Sequence, residues 1–298
     1  MVTLGGSSTE SGVLSCSITL HVIPSPRKSA ESPIVNVMGN AALKAARGLI
    51  RDFGEVEHLL VSIKGVGEFV STADLRAERT LKAELRRARP GYAMLFEESG
   101  SEAGSDPRHR WIVDPLDGTT NFLHGIPHFA ISIALERDGE IVAGVIYEPI
   151  RDEMYWGEKG TGAYVNDRRL RVSARRQLAD ALIGTGMPFG DRAKDRAYLA
   201  TLAAVMDATS GVRRMGSAAL DLAYVAAGRY DGFWEFGLQP LDIAAGILLV
   251  REAGGYISDM AGAHEMMTTG DVLAANAHLH LPLAALIKEG GRARHAAS

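Results

Sequence analysis

The chain has 298 residues, 46% hydrophobic and 23% charged, which is an ordinary globular composition with enough length for one large domain or two lobes around a sizeable core. Its formal net charge of -4 gives no electrostatic case for nucleic acid or an anionic membrane as the main partner. The single cysteine, Cys16, excludes an intrachain disulfide and favours a reducing compartment, and no run reaches the ~18 apolar residues of a membrane span. Residues 13–23 (VLSCSITLHVI) lack the basic flank and small-residue cleavage site of a secretion signal, so a cytoplasmic enzyme is the expectation.

Residues 1–32 are rich in Ser, Gly and Pro without a sustained period and read as a disordered N-terminal extension. The catalytic domain is expected over 33–290, in lobes of roughly 33–172 and 173–290, with a tail at 291–298. From Pro33, the residues Val35, Met38, Ala42, Ala46, Leu49 and Phe53 repeat at helical spacing until Gly54. A second helix opens after a Ser71-Thr72 cap, places Ala77, Leu81, Leu85 and Ala88 on one face and stops at Arg89-Pro90-Gly91. Asp74 therefore falls in its first turn. The period then shortens towards two, which predicts strands at 92–97, 109–114, 128–136 and 140–147, the last pair joined by an Asp138-Gly139 turn. Gly-rich hairpins fill 157–172, and helices return at about 194–207, 217–227 and 242–253, the last apolar enough to be buried. This is an α+β pattern, with layers packed as two close lobes.

Five carboxylates stand where these elements end or begin: Asp74, Glu97, Asp114, Asp117 and Asp242. Any one alone reads as a cap or a solvated turn. Together they flank apolar runs (AMLFEE, WIVD, LDIAAGILLV) and so belong at the edge of a core. Two carboxylates ~5 Å apart at an effective dielectric of ~20 repel by about 3 kcal/mol. Such a cluster calls for protonation or for cations, and hard oxygen donors suit Mg²⁺, Mn²⁺ or Ca²⁺ rather than zinc. In the stretch from Asp114 to Asn121 (DPLDGTTN), Pro115 fixes the backbone and Leu116 can turn its carbonyl to a metal. Gly118 permits close backbone approach, and the N–H groups of Gly118 to Thr120 open a short helix suited to a phosphate oxyanion. An acid set joined to an anion nest points to phosphoryl chemistry.

The run VDPLDGTTNF at 113–122 resembles the first signature of the inositol monophosphatase family, which are magnesium-dependent, lithium-sensitive phosphatases. FEES at 96–99 and STADLRAE at 71–78 resemble its upstream elements, and 213–255, beginning RRMGSAALDLAY, resembles its second signature. The resemblance implies the layered αβαβα sandwich of sugar phosphatases and a homodimer. It implies that Glu97, Asp114 and the Leu116 carbonyl hold one Mg²⁺, and that Asp114, Asp117 and Asp242 hold a second, with Asp114 bridging. A third, weaker ion would lie near Glu97. Thr119 and, through it, Asp74 would orient the nucleophilic water, with Glu97, Asp74 and Thr119 as the catalytic set. Gly118 and Thr119 would bind phosphate through backbone N–H groups. Gly216, Ser217, Ala218, Glu235 and Asp117 would face the sugar or inositol. Two positions depart from the family pattern: Leu241 stands where tryptophan is usual, and IKGVGEF at 63–69 keeps Lys64 but has Glu68 where aspartate is common.

The implied reaction is hydrolysis of inositol 1-phosphate. Relatives act on fructose 1,6-bisphosphate, 3′-phosphoadenosine 5′-phosphate or histidinol phosphate, but the stretch ESGSEAGSDPRHRWIV between Glu97 and Asp114 adds no basic cluster for a second phosphate. A regulatory or RNA-processing partner that retains the fold is the alternative of another class, and loss of a ligand would mark it. All five acids are present. GEKGTGAY at 157–164 lacks the Lys-Ser/Thr ending of a P-loop and reads as a hairpin, while the arginines at 168, 169, 171, 175 and 176 read as a solvated face. The nine histidines show no ligand spacing, and Cys16 has no evident base.

Overall fold

The computed structural model describes residues 32–56, 61–65, 68–187 and 192–292. The expected extension, apart from Ser32, and residues 293–298 of the expected tail lie outside the described residues, as do the side chains of Lys64 and Glu68. Ser32, assigned by composition to the extension, caps the first helix instead: its side chain accepts from Val35 N–H, and Pro33 supplies the preset φ of a first turn.

In chain order, helix α1 (Pro33–Phe53) is followed by a hairpin of β1 (Val61–Gly65) and β2 (Glu68–Ser71), then α2 (Thr72–Ala88). Next come β3 (Tyr92–Phe96), β4 (Gly100–Glu102), β5 (Asp106–Asp117) and the short α3 (Thr119–Leu123). Four antiparallel strands follow, β6 (Ala130–Arg137), β7 (Glu140–Glu148), β8 (Glu153–Glu158) and β9 (Gly162–Val165), with a two-residue edge strand β10 (Arg168–Arg169). The remainder is β11 (Leu182–Thr185), α4 (Arg192–Ala208), β12 (Gly211–Arg213), α5 (Ala218–Ala226), β13 (Gly232–Glu235), α6 (Pro240–Glu252), β14 (Tyr256–Ser258), α7 (Met266–Thr269), β15 (Val272–Ala275) and α8 (His280–Arg292).

The strands form an eight-stranded sheet, ordered β10-β9-β8-β7-β6-β5-β3-β4, and a five-stranded sheet, ordered β12-β11-β13-β15-β14. Side-chain alternation shows how the layers stack. In β5, Trp111 and Val113 join a core with α1 and α2, whereas Ile112 joins the central core with α5 and α6. In the second sheet, Phe233, Val272 and Ala274 face that same central core, whereas Trp234, Leu273 and Ala275 pack with Leu279 and Leu283 on the outer side. The order is therefore helix pair, sheet, helix pair, sheet, helix pair: a layered αβαβα sandwich. Helix α6 lies at its centre with every residue from Ile243 to Val250 buried. Small residues let it sit there. A Cβ on Gly144 of β7 would lie 3.1 Å from the Ala245 backbone, and one on Gly246 would lie 2.5 Å from Leu222 of α5.

Sequence patterning finds the long elements within a few residues. The Asp138-Gly139 turn has both residues at positive φ, as a tight two-residue hairpin requires. GEKGTGAY forms the β8–β9 hairpin. The exposed arginine pair of β10 covers a sheet edge, where charge discourages further strand pairing. Patterning does not find β11 to β15 or α8. Those strands have three or four residues, and β15 (VLAA) is buried throughout, so it shows no alternation. Among the described residues no helix is long and apolar enough to cross a membrane.

Candidate active site

The strand β5 does not stop at Asp114 as expected but continues to Asp117 through an irregularity. Asp114 pairs with Ser132 and Asp117 with Ala130, so Pro115 and Leu116 of β5 stand opposite Ile131 alone of β6. Pro115, which has no N–H to give to a ladder, lies in this bulge. The bulge turns two carboxylates towards one place. Leu116 N–H donates to Asp114 Oδ1 at 2.9 Å, and the Leu116 carbonyl accepts from Thr119 Oγ1 at 3.0 Å. Gly118 then adopts φ 94°, where an added Cβ would stand 3.1 Å from the His128 carbonyl and 3.3 Å from that of Gly216. Only glycine suits both constraints. Asn121, buried, fastens the turn by donating through Nδ2 to the carbonyls of His128 and Met215, each at 2.8 Å.

Asp74 reaches the same turn from α2. Its Oδ2 accepts from Ser71 N–H at 2.9 Å and from the Ser71 hydroxyl, a capping arrangement that starts the helix, and Thr119 Oγ1 lies 3.1 Å from its Oδ1. Burial raises the pKa of Asp74, against the opposing hydrogen bonds from Ser71 and Thr119. Glu97 stands exposed on the turn after β3. That turn is held by the buried Glu78 of α2, whose carboxylate accepts from Glu98 N–H at 2.9 Å and Ser99 N–H at 3.1 Å.

The second sheet and the central helices bring the rest. Asp117 Oδ2 accepts from the Ser217 hydroxyl and from Ala219 N–H at 2.8 Å, at the start of α5. Ser217 and the first turn of α5 thus hold an acid, in addition to the substrate-facing place the sequence suggests for Gly216, Ser217 and Ala218. Asp242, in the first turn of α6, accepts from Gln239 N–H at 2.8 Å. Leu241 is buried in the central core, so the apolar anchor beside Asp242 is kept. Glu235 ends β13, and its carboxylate fills the space beside Gly186, where a Cβ would lie 1.8 Å from Oε1.

These acids share one field. Burial raises Asp114 well above the usual carboxylate range, with Glu97, Asp117 and Asp242 adding repulsion. Burial raises Asp117 to about 6, against the Ser217 and Ala219 hydrogen bonds. Asp242 is raised to about 7 by burial and by Asp117, and Glu235 to about 8 by burial, Asp242 and Asp117. Among the described residues no three His, Cys, Asp or Glu side chains close around a common point as they stand. Asp114, Asp117 and Asp242 each turn one oxygen to a protein donor instead. The donor set fits a hard divalent cation by its chemistry: oxygen donors only, mutual repulsion that a cation would relieve, and no thiolate.

Sequence reasoning missed four residues here. Asn121 and Glu78 position the two turns. Asp221 of α5 is 1% exposed, its Oδ1 has no hydrogen-bond partner among the described residues, and its pKa is raised well above normal by burial, Glu235 and Asp117. Arg214 supplies the opposing positive charge to both Asp221 and Glu235. All four lay within stretches already singled out. The last two depend on segments brought together only by the fold.

Comparison with known proteins gives the family. Residues 30–291 match the model of the inositol monophosphatase family. An inositol-1-monophosphatase of Mesorhizobium japonicum is 59% identical over 89% of this chain and 100% of its own length. A protein named Nus factor SuhB from Pseudomonas aeruginosa is 46% identical over 82% of this chain and 92% of its own. The crystal structure of the extragenic suppressor protein suhB from Bartonella henselae superposes with a TM-score of 0.85 at 56% identity, covering 87% of this chain and 100% of that one.

Proposed function

Because this chain belongs to the inositol monophosphatase family, we propose that it is a Mg²⁺-dependent phosphomonoesterase that hydrolyses inositol 1-phosphate to inositol and phosphate. The observation that carries this reading is the mutual repulsion of Glu97, Asp114, Asp117 and Asp242, brought from three separate segments, beside the Gly118 turn. Glu97, Asp114, the Leu116 carbonyl, Asp117 and Asp242 would hold two to three Mg²⁺ ions. Bound there, the metal would lower the pKa of the attacking water and offset charge on the leaving oxygen.

The chain's own residues do the rest. Thr119, its hydroxyl between Asp74 and the Leu116 carbonyl, orients the water and passes a proton towards Asp74. The water oxygen bonds to phosphorus, the ester bond to the inositol oxygen breaks, and that oxygen takes up a proton from solvent water. Gly118 and Thr119 direct N–H groups at the phosphate, while Gly216, Ser217, Ala218, Glu235 and Asp117 face the inositol hydroxyls. Arg214 offsets the acids on that side.

A panel of inositol 1-phosphate, fructose 1,6-bisphosphate, the phosphoadenosine nucleotide and histidinol phosphate, assayed with Mg²⁺ and with added Li⁺, tests the proposal. Inositol 1-phosphate should give the highest kcat/KM, and Li⁺ should inhibit. Turnover without Mg²⁺, or a preference for another ester, would refute the substrate assignment. The similarity to proteins named Nus factor favours a second reading, a regulatory or RNA-processing partner that retains the fold. A chain with Asp114→Asn that loses hydrolysis but still supports growth in place of the native protein would establish that role.

A further inference from the structure

Helices α1 and α2 cross the outer face of the eight-stranded sheet and leave a groove of about 350 Å³ between them, at the low end of small-molecule pockets. Its walls are small: Ala45 and Gly48 from α1, Ala73 and Ala77 from α2. A Cβ on Gly48 would meet no atom within 4 Å, so the space beside it is open. The rim is cationic, with Lys44, Arg51, Arg76 and Arg79 from the two helices. This is a concentration of positive charge on a chain whose net charge is -4.

The cations are arranged rather than scattered. Asp52, 4% exposed, accepts from Arg51 Nε and Nη2 on Oδ1 at 3.1 and 3.0 Å, and its Oδ2 lies 3.0 Å from Arg76 Nη2. One buried carboxylate thus holds two guanidinium groups, from different helices, side by side. Arg76 is fixed further by Thr72, through its carbonyl at 3.1 Å and its hydroxyl at 3.3 Å. Glu84 is the other nearby acid, and it is shared between Lys44 and Arg87. Cations exceed acids, and the heads of Lys44 and Arg51 are more than half exposed. Fork-shaped guanidinium donors at a short, walled groove match the geometry of a phosphate group.

We propose that this groove is a second anion site, which binds a small phosphate-bearing molecule or inorganic phosphate between α1 and α2. The assignment does not rest on the phosphatase reading, because the groove residues are separate from the acid cluster. Asp74 follows Ala73 in sequence, but its carboxylate faces Ser71 and Thr119. A short groove suits one phosphate group, whereas a nucleic-acid backbone would need an extended basic track.

The test is a titration of the full-length, Mg²⁺-loaded, ¹⁵N-labelled protein with inorganic phosphate at constant ionic strength, with chloride as the control. The amides of Ala45, Gly48 and Ala77 should shift saturably with phosphate and not with chloride. Gly48→Leu, which fills the groove without changing charge, and the double variant Lys44→Gln/Arg79→Gln should each weaken this binding tenfold or more. Both should hydrolyse substrate within twofold of the native protein, and their melting temperatures should show that they fold. Absent or non-saturating shifts would overturn the proposal, as would shifts that survive in both variants. A short single-stranded RNA that moved the same amides at tenfold lower phosphate concentration would overturn the small-ligand assignment.

Discussion

Asp114 carries the sharpest conflict between stability and function. It is 3% exposed, accepts one backbone hydrogen bond and is repelled by Glu97, Asp117 and Asp242. Asp114→Asn removes the charge but keeps the shape, so hydrolysis should fall ~10³-fold or more, about 4 kcal/mol of barrier. The same change should raise the melting temperature of the metal-free protein, because a repelling buried acid is gone. Assay and calorimetry of one variant check both; loss of activity together with loss of fold would refute the electrostatic account. Thr119 is different, since its hydroxyl touches Asp74 and the Leu116 carbonyl but no element depends on it. Thr119→Ala should lower kcat by about 10- to 100-fold and leave KM nearly unchanged, because positioning a water matters most in the transition state. A change confined to KM would make Thr119 a substrate-binding residue.

At the scale of elements, the acids are held by how α5 and α6 seat between the sheets. Gly246 faces Leu222, and an added Cβ would lie 2.5 Å from Leu222 Cδ1 and 2.6 Å from its Cβ. Gly246→Ala should therefore destabilise the protein by about 1–3 kcal/mol despite the better helix propensity of alanine. Because Asp242 opens α6 and Asp117 is held by the start of α5, the apparent Mg²⁺ affinity should weaken as well; denaturant melts and a metal titration test this. The sequence shows α6 plainly as an apolar helix and shows its opening acid. It does not show Gly246 meeting Leu222, since that contact joins two helices through the fold. The same distinction runs through the molecule. Strand β5 is legible as far as Asp114 because Trp111 to Val113 are a local signal, whereas the bulge that carries it on to Asp117 depends on pairing with β6. The short, mostly buried strands β11, β13 and β15 are not, because a strand covered on both faces looks like any apolar tetrapeptide. Asp221 and Arg214 escaped for a related reason: their importance is a field from distant segments.

Over the whole molecule, the cluster makes stability depend on pH and on metal together. In the metal-free protein Asp242 is raised to about 7, Glu235 to about 8, and Asp114 well above normal. In the unfolded chain these acids return to ordinary values near 4. Between those limits the folded protein binds more protons than the unfolded one, so stability falls as pH rises. Among the groups that oppose this, His280 is lowered by burial, and His128, buried with neither ring nitrogen hydrogen-bonded among the described residues, is lowered to about 4. Their unfolded forms take up a proton below about 6.5, so they favour folding as pH rises only up to that point. The window free of this opposition is therefore from about pH 6.5 to 8.5. There the melting temperature of the metal-free protein should drop by about 5 °C or more, since 1 kcal/mol corresponds to a few degrees at this size. On the proposed reading, saturating Mg²⁺ would bind the ionised carboxylates, which only the folded chain presents together, so it should stabilise more at pH 8.5 than at 6.5 and flatten the profile. Asp242→Asn should flatten the metal-free profile too, by removing one titrating group and its repulsion of Asp117. Melts of both proteins across this range, with chelator and with Mg²⁺, decide the matter. A flat metal-free profile would mean that the acids are already relieved by some other contact, and it would remove the electrostatic reason for a cation at this place.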